Sequence, residues 1–310
     1  MRAFIFPGQG SQAVGMGAAL AAASRFAREV FEEVDEAIGQ HLFRLMSEGP
    51  AEELTLTENA QPAIMANAVA TWRVLEREGG VALAEQAAFV AGHSLGEYSA
   101  LCVAGALDLA TTARLLKLRG QAMQSAVPVG AGGMAALLGA TLDQARAVAD
   151  AAAEGQVCAV ANDNAEGQVV ISGHAEAIAR AVALCRDFGV KKGMALPVSA
   201  PFHCALMAPA AETMAAALER ARIAAPFVPV YANVTAAPVS DPAEIRARLV
   251  EQVTGMVRWR ESLLAMEAAG VDQFVEFGAK LLAPMVKRTV QAEPVSVVTM
   301  AEIEGLARGL

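Results

Sequence analysis

Short apolar runs alternate along the chain with longer segments in which apolar residues recur at helical spacing, a pattern typical of α/β proteins. The short runs predict strands at Ala3–Phe6, Ala87–Ala91, Val228–Tyr231, Gln273–Phe277 and Val295–Thr299. The longer segments predict amphipathic helices, among them residues 16–38 and 59–78. Pro62 falls near the predicted start of the second helix, where a missing N–H costs nothing. The pattern therefore predicts helices around a mainly parallel sheet.

A different order of elements occupies residues 130–196. The predicted elements are, in turn, a strand Met134–Leu138, a helix from Thr141, strands Gln156–Ala161 and Gln168–Ser172, a helix Ala175–Phe188 and a strand Val190–Leu196. Thr141 and Gln144 have the spacing of a capping box, and Gly189 is placed to end the second helix. The order βαββαβ is that of the ferredoxin-like unit.

This second pattern predicts a small domain inserted into a larger one. We place the small ferredoxin-like subdomain at residues 128–196 and the large α/β domain at residues 1–127 and 197–310. A cleft between two such units is the expected place for a ligand.

Composition and charge exclude several classes of protein. The 310 residues are 55% hydrophobic and carry a net charge of −9, which argues against a disordered chain and against a general nucleic-acid or anionic-membrane binder. The four cysteines contain no CxxC pair, so neither a zinc ribbon nor a disulfide scaffold is expected. Two uncharged stretches, residues 120–142 and 193–211, are interrupted by glycine or proline and are interpreted as buried segments of a soluble, cytoplasmic protein.

The segment Gly92-His93-Ser94-Leu95-Gly96 carries the strongest chemical signal. It follows an apolar strand and opens a helical segment, which is the context of a nucleophile elbow. The two glycines permit a tight turn that exposes the Ser94 hydroxyl above the sheet, and the helix N-terminus offers N–H groups to a developing oxyanion. The alternative is an ordinary surface turn.

A nucleophilic serine needs a base, and His203 is the best of the four histidines. It lies in Ser-Ala-Pro-Phe-His, where the chain returns from the predicted insert to the large domain and hence beside the cleft. No histidine follows it, and no acidic residue near it suggests a third member of a triad. This weakens a lipase or esterase interpretation and favours a Ser–His pair oriented by a neutral group.

Two further features each leave two interpretations open. Arg119 shares a mostly apolar helix face, which suits either a snorkelling side chain or a guanidinium held for a carboxylate. Gly8-x-Gly10-x-x-Ala13 matches a loose dinucleotide fingerprint, but the acidic residues about 20 positions on lie inside a predicted helix. The other interpretation is a loop whose N–H groups face the elbow and supply an oxyanion donor.

Taken together, these segments resemble the malonyl-CoA:acyl carrier protein transacylases, the acyltransferases of fatty-acid and polyketide synthesis. The resemblance covers nearly the whole chain and rests on the segments FPGQGSQ, GHSLGEYSAL, LRGQAMQ, NDNAEGQVVISG, LPVSAPFHCALM, YANVTA and EQVTGMVRW. It implies an α/β-hydrolase-like core with an inserted ferredoxin-like subdomain. It also implies malonyl transfer from malonyl-CoA to the phosphopantetheine thiol of acyl carrier protein, without a cofactor or metal ion and by a protein expected to be a monomer.

The resemblance assigns a role to each site residue. Ser94 would be the acylated nucleophile and His203 its base, with Gln252 orienting His203 through its amide oxygen. Arg119 would bind the malonyl carboxylate. The remaining implied positions are the oxyanion-hole N–H groups of Gln9 and Leu95, Phe202 as a residue that excludes bulkier acyl groups, and Asn162 in cleft support.

Some questions stay open at this stage. The loop Glu276-Phe277-Gly278-Ala279-Lys280 is a residue shorter than the family's Glu-x-Gly-Pro-Gly-Lys pattern and lacks its proline, so its conformation is not implied. A polyketide rather than a fatty-acid pathway is possible, and so is a thioester hydrolase that uses the same Ser–His pair. An acidic carrier protein would need a local basic face on this acidic chain, for which the candidates are Arg186, Lys191, Lys192, Lys287 and Arg288.

Overall fold

Two β-sheets organise the protein in a computed structural model, which describes residues 1–198 and 200–310. The strands are β1 (Arg2–Phe6), β2 (Phe89–Gly92), β3 (Gly132–Leu138), β4 (Cys158–Ala165), β5 (Gln168–His174), β6 (Lys192–Ala195), β7 (Val230–Ala232), β8 (Ala237–Val239), β9 (Gln273–Phe277) and β10 (Glu293–Val297). The larger sheet has the order β10-β9-β1-β2-β7-β8, and the smaller has the order β4-β5-β3-β6.

The larger sheet is parallel apart from its edge strand β8. The pairs β1·β2, β1·β9, β9·β10 and β2·β7 are parallel, whereas β8 pairs antiparallel with β7. Its central strands are buried on both faces, where Phe277 stacks on Phe6 and meets Phe4 edge to face. The carboxyl ends of β1, β2 and β7 consequently lie side by side, which is where open parallel sheets bind ligands.

Helices cover the larger sheet and complete the smaller one. They are α1 (Ala18–Ala23), α2 (Arg25–Ile38), α3 (Leu42–Glu48), α4 (Ala51–Thr55), α5 (Thr57–Arg77), α6 (Leu83–Gln86), α7 (Gly96–Val103), α8 (Leu109–Ser125), α9 (Leu142–Ala153), α10 (Ala175–Leu184), α11 (Ala208–Arg220), α12 (Pro242–Thr254), α13 (Trp259–Ala268), α14 (Ala283–Thr289) and α15 (Met300–Ala307), with short 3-10 turns at Cys185–Phe188 and Ala205–Met207. In the described part of the chain, no helix has both the length and the apolar character needed to cross a bilayer.

The smaller sheet confirms the predicted ferredoxin-like order. Its strands pair antiparallel, with β3 between β5 and β6 and with β4 at the edge, and α9 and α10 pack on it. Thr141 and Gln144 form the expected capping box, and Gly189 ends the 3-10 turn after α10 in a left-handed conformation. The α/β class with a parallel sheet and a second antiparallel sheet is therefore as predicted, while the domain limits 1–127, 128–196 and 197–310 stay a prediction.

Several element boundaries differ from the sequence-based expectation. The single helix predicted over 16–38 is interrupted at Ser24, whose side chain caps α2 by accepting from the Ala27 N–H. Helix α5 begins at Thr57, so Pro62 lies in its second turn and has no N–H to donate to the Glu58 carbonyl; the prediction that the proline costs nothing there was wrong. Strand β8 was missed because it has only three residues, one of them a proline, which is too short for an alternation of apolar and polar positions to be recognised.

Candidate active site

The turn between β2 and α7 holds Ser94 in a strained backbone conformation. Ser94 has φ 54°, in the left-handed region that a side chain disfavours. A Cβ on Gly92 would lie 1.8 Å from the carbonyl oxygen of Gly96, and a Cβ on Gly96 would lie 2.3 Å from that of Phe6. Glycine is therefore required at both positions, as the sequence indicated, and the turn presents Ser94 at the carboxyl end of β2.

Asn233 braces this turn from the neighbouring strand. Its Oδ1 accepts from the Ser94 N–H at 2.7 Å, and its Nδ2 donates to the Gly92 carbonyl oxygen at 2.7 Å. Asn233 follows β7, which pairs with β2, so the parallel register brings it to the elbow. Sequence reasoning did not single out Asn233; its place directly after a predicted strand was the available signal.

His203 lies opposite Ser94 and is held in one tautomer. The Ser94 Oγ and His203 Nε2 atoms are 2.7 Å apart, and the His203 Nδ1–H donates to the main-chain carbonyl of Gln252 at 2.9 Å. His203 is 4% exposed and has φ 57°, so its backbone, like that of Ser94, is in the left-handed region. Burial, together with the charge of Arg119, lowers the His203 pKa to about 3, so the ring is neutral and Nε2 can accept the serine proton.

Gln252 contacts His203 by a different atom from the one expected. Its side-chain oxygen was predicted to orient His203, but the main-chain carbonyl does so, and the prediction for the amide was wrong. The side chain turns the other way: Oε1 accepts from Arg119 Nη2 at 2.9 Å, and Nε2 donates to the Ser94 carbonyl at 3.0 Å and to Glu97 Oε2 at 2.8 Å. Gln252 thus joins the histidine, the arginine and the elbow.

Arg119 places a buried guanidinium beside the serine hydroxyl. The residue is 1% exposed, and its Nη2 lies 3.2 Å from Ser94 Oγ while Nη1 donates to Gln61 Oε1 at 2.7 Å. The guanidinium lies over the Tyr98 ring, 5.7 Å from its centroid, and has no carboxylate within 4.0 Å in the described residues. Burial lowers its pKa. A snorkelling side chain, the alternative interpretation of its spacing, is excluded because the charged end is inside the protein.

A cavity of 390 Å³ opens at Ser94, His203 and Arg119, and it is lined by strands of the smaller sheet and by loops and helices around the larger one. Gln9 and Leu95 line it, and neither backbone N–H has an acceptor among residues 1–198 and 200–310. The other predicted residues also line it, Phe202 with 8% and Asn162 with 6% of their surface exposed. Seven of the eight predicted site residues therefore line this cavity. The eighth, Gln252, lies behind Arg119 and bonds its guanidinium.

The N-terminal loop lies against the elbow. The His93 N–H donates to the Phe6 carbonyl at 3.0 Å, and a Cβ on Gly8 would lie 2.8 Å from the His93 carbonyl oxygen. The glycine at position 8 is therefore explained by contact with the elbow, which favours the oxyanion-loop interpretation over the dinucleotide fingerprint. The His93 ring bonds Asn164 Oδ1 at 2.7 Å and packs edge-on to Trp259, so its partners are groups other than Ser94.

The shortened loop after β9 is held by buried hydrogen bonds. The Glu276 carboxylate accepts from the backbone N–H groups of Leu281, Leu282 and Ala283. The Gly278 carbonyl accepts from Asn67 Nδ2 at 2.8 Å. These bonds place Leu281 and Leu282 in the cavity wall, a contribution that the sequence did not indicate.

The sheet, the elbow and the Ser–His pair define an α/β-hydrolase-like enzyme site, and comparison with known proteins specifies the family. The model of the acyl transferase domain matches residues 3–305, so the chain belongs to the acyl transferase family. A malonyl CoA-acyl carrier protein transacylase of Salmonella typhimurium is 45% identical over 289 residues, which are 93% of this chain and 92% of the relative.

Solved structures show the same likeness. A crystal structure of an acyl-carrier-protein-S-malonyltransferase from Bartonella henselae has a TM-score of 0.97 and 49% identity, covering 99% of this chain and 98% of the other. A type II polyketide-synthase acyl carrier protein in complex with its malonyl-transacylase gives a TM-score of 0.95 at 40% identity, covering 100% of this chain and 99% of the other.

Proposed function

We propose that this acyltransferase moves a malonyl group from malonyl-CoA to the phosphopantetheine thiol of acyl carrier protein through a malonyl-serine intermediate. The observation that carries the proposal is the Arg119 guanidinium, buried and 3.2 Å from Ser94 Oγ without a carboxylate of its own. A desolvated guanidinium at the acyl position fits an acyl group that ends in a carboxylate, which arginine binds with two parallel hydrogen bonds. The names of the relatives support the same donor and acceptor.

In the first half-reaction His203 Nε2 takes the Ser94 proton while Oγ attacks the thioester carbonyl carbon. The N–H groups of Gln9 and Leu95 receive the oxyanion, since both residues line the cavity and neither N–H has an acceptor in the described part of the chain. Collapse of the tetrahedral intermediate expels the CoA sulfur, which takes the proton from His203. Malonyl is left esterified to Ser94.

The second half-reaction runs in the reverse sense. His203 takes the proton of the phosphopantetheine thiol, and the sulfur attacks the malonyl-serine carbonyl. Ser94 leaves and recovers its proton from His203. The main-chain carbonyl of Gln252 stabilises the imidazolium in both halves without a buried carboxylate.

Phe202 and Asn162 shape the pocket for the acyl group. Phe202 precedes His203 and lines the cavity, so its ring limits the room beside the malonyl carbon between the two carbonyls. Asn162 lies on β4, which is joined to the large domain by a bridge to Val257, and it supports the cavity wall from the smaller sheet. We propose that Phe202 excludes bulkier acyl groups and that Asn162 supports the cavity wall.

The proposal is tested by intact-mass and peptide mass spectrometry. The protein incubated with malonyl-CoA should gain one malonyl group, located on the Ser94 peptide, and should lose it when acyl carrier protein is added. A thioester hydrolase would instead lose the malonyl group at the same rate with or without the carrier protein. No adduct on the Ser94 peptide would refute the proposal.

The depressed His203 pKa predicts a pH profile. An imidazole of ordinary pKa would be mostly protonated at pH 5, lowering acylation roughly twenty-fold relative to pH 7. Because burial and the charge of Arg119 lower the His203 pKa to about 3, the neutral ring persists, and the single-turnover acylation rate at saturating malonyl-CoA should change less than about twofold. Quenched-flow measurement from pH 5 to 8 checks this, and an acid limb near pH 6.5 would contradict it.

A basic edge near the cavity is the proposed contact for the acidic carrier protein. Lys192 on β6 pairs with Leu138 on β3, and Leu138 pairs on its other side with Gln168 on β5. Arg288 Nη1 donates to the side-chain oxygen of Gln168 at 3.2 Å. Lys192 and Arg288 are exposed, and Arg288 lies one helical turn beyond Met285 of the cavity wall. These contacts support the choice of Lys192 and Arg288 as members of the proposed basic edge.

Charge reversal at this edge should weaken binding of the carrier protein and leave binding of malonyl-CoA unchanged. We expect Lys192→Glu with Arg288→Glu to raise the KM for carrier protein by about tenfold at low salt, with a smaller effect at high salt. The KM for malonyl-CoA should be unchanged, as should both constants in the control Arg114→Glu on α8. If the KM for carrier protein responds neither to salt nor to the charge reversal, the proposed docking surface is wrong.

A further inference from the structure

A buried polar cluster lies beneath Ser94 on the side away from the cavity, and Glu97 is its centre. Glu97 is 2% exposed, and its Oε2 accepts from the Asn233 N–H at 3.0 Å and from Gln252 Nε2 at 2.8 Å. Neither the elbow chemistry nor the Ser–His pair requires a carboxylate there. The Glu97 side chain therefore lacks a function in the mechanism above.

The Gln252 amide connects Glu97 to Arg119. Gln252 Nε2 donates to the Glu97 carboxylate, and its Oε1 accepts from Arg119 Nη2 at 2.9 Å. Because the amide is polarised in one direction, a negative Glu97 strengthens the oxygen's attraction for the guanidinium. The Glu97 carboxylate and the Arg119 guanidinium are thus linked through a single amide.

We propose that Glu97 is the counter-charge of Arg119 before the acyl donor binds, and that it takes up one proton from solvent when the donor's carboxylate docks on Arg119. This inference rests on the proposed function, because it needs a donor with a carboxylate. The step is a proton transfer alone: the Glu97 carboxylate becomes a carboxylic acid, and no other bond changes.

Charge balance in the buried site favours this step. A second carboxylate beside one guanidinium would leave a net negative charge in a desolvated region, where an unpaired ion is costly. Burial raises the Glu97 pKa to about 7, against the lowering effects of the hydrogen bonds from Asn233 and Gln252 and of the Arg119 charge, so the carboxylate can be protonated near neutral pH. A carboxylate that engages Arg119 removes part of that opposing effect and raises the pKa further.

The other groups around Glu97 are poor alternatives for the proton. The guanidinium of Arg119 on α8 already carries its proton, and burial raises the pKa of Tyr98, so the phenol stays neutral. His203 and His93 are buried with lowered pKa values. The remaining neighbours, from α5, α12 and the turn after β7, are the uncharged amides Gln61, Gln252 and Asn233.

Linkage fixes the sign of the expected pH dependence. If the carboxylate of the donor raises the Glu97 pKa, the form with neutral Glu97 binds that donor more tightly. Affinity for malonyl-CoA should therefore fall as pH rises through about 7. The total fall should be about tenfold for each pH unit by which the bound donor raises the Glu97 pKa. Affinity for acetyl-CoA, which has no second carboxylate, should not follow this titration.

Calorimetry of a variant that cannot be acylated measures the proton directly. Malonyl-CoA is titrated into Ser94→Ala at pH 7.5 in two buffers of different ionisation enthalpy, with acetyl-CoA as the matched ligand because it carries the same CoA phosphates. We expect an uptake of about half a proton or more for malonyl-CoA relative to acetyl-CoA. The excess should disappear in Ser94→Ala with Glu97→Gln and persist with Glu58→Gln, a glutamate on α5 paired with Lys117.

Two results would overturn the inference while leaving the proposed function intact: equal proton counts for the two donors, or an excess that survives Glu97→Gln. Failure of the proposed function appears differently, as absence of a malonyl adduct on Ser94 in the wild-type protein. A second measurement needs no substitution at Glu97. Infrared difference spectra with ¹³C-labelled glutamate should show a carboxylic acid band that malonyl-CoA induces and acetyl-CoA does not, and absence of that band also overturns the inference.

Discussion

Replacing Ser94 by alanine should reduce malonyl transfer by about 10³- to 10⁶-fold, the range seen when a nucleophile that acts with a base is removed. The acyl group then has no oxygen to bind covalently, and the thiol of the carrier protein would have to attack the donor directly. Steady-state transfer between malonyl-CoA and carrier protein measures the loss. Mass spectrometry should show no malonyl adduct in the variant.

Ser99→Ala is the matched control for this substitution. Ser99 is a buried serine on the helix that follows the elbow, and its hydroxyl has no hydrogen-bond partner in the described part of the chain. Its loss should leave kcat/KM within about twofold of the wild-type value. A Ser94→Ala protein that still transfers malonyl at near wild-type rate, with the same ratio of transfer to hydrolysis, would show that Ser94 is not the nucleophile.

Arg119→Ala should remove the preference for malonyl over acetyl donors. The malonyl carboxylate would then enter a buried site without a partner, a loss of about 2–5 kcal/mol or roughly 30- to 5000-fold in kcat/KM for malonyl-CoA. Acetyl-CoA makes no such contact, so its kcat/KM should fall much less. The ratio of the two values, measured on the same preparation, is therefore the decisive quantity.

The control for this prediction is Arg114→Ala, on the same helix but exposed. It should change neither value. An Arg119→Ala protein that keeps its malonyl preference would exclude Arg119 as the carboxylate partner. Loss of both activities to the same degree would contradict the specificity role as well, because Arg119 would then act on the serine and not on the acyl group.

The elbow and its partners could be predicted because their signals are local or ordered along the chain. Gly92, Ser94 and Gly96 lie within five residues between a strand and a helix, so the turn follows from sequence alone. His203 was found because few histidines compete with it. The two-sheet organisation was predictable for a similar reason, since the order βαββαβ can be read from the alternation of apolar patterns.

Contacts made by individual atoms could not be predicted in the same way. The family resemblance brought Gln252 to the site and implied its amide oxygen as the partner of His203, but side chain and main chain both lie within reach, and only the structure distinguishes them. Glu97 and Asn233 were missed since a carboxylate and an amide buried behind an elbow have no periodic or motif signal. The break at Ser24 was missed because the apolar spacing continues across it, while its backbone N–H closes one helix and its hydroxyl caps the start of the next.

The main-chain contact between Gln252 and His203 has a consequence for how such enzymes change over time. A triad that relies on an aspartate can be disabled by one codon change at the acid, whereas every amino acid at position 252 carries the same carbonyl. Substitutions at position 252 change the side-chain contacts with Arg119 and Glu97, and through them the choice of donor. The main-chain bond that sets the tautomer of His203 is retained. The tautomer of the base and the contact with the donor-binding arginine are therefore carried by different atoms of one residue.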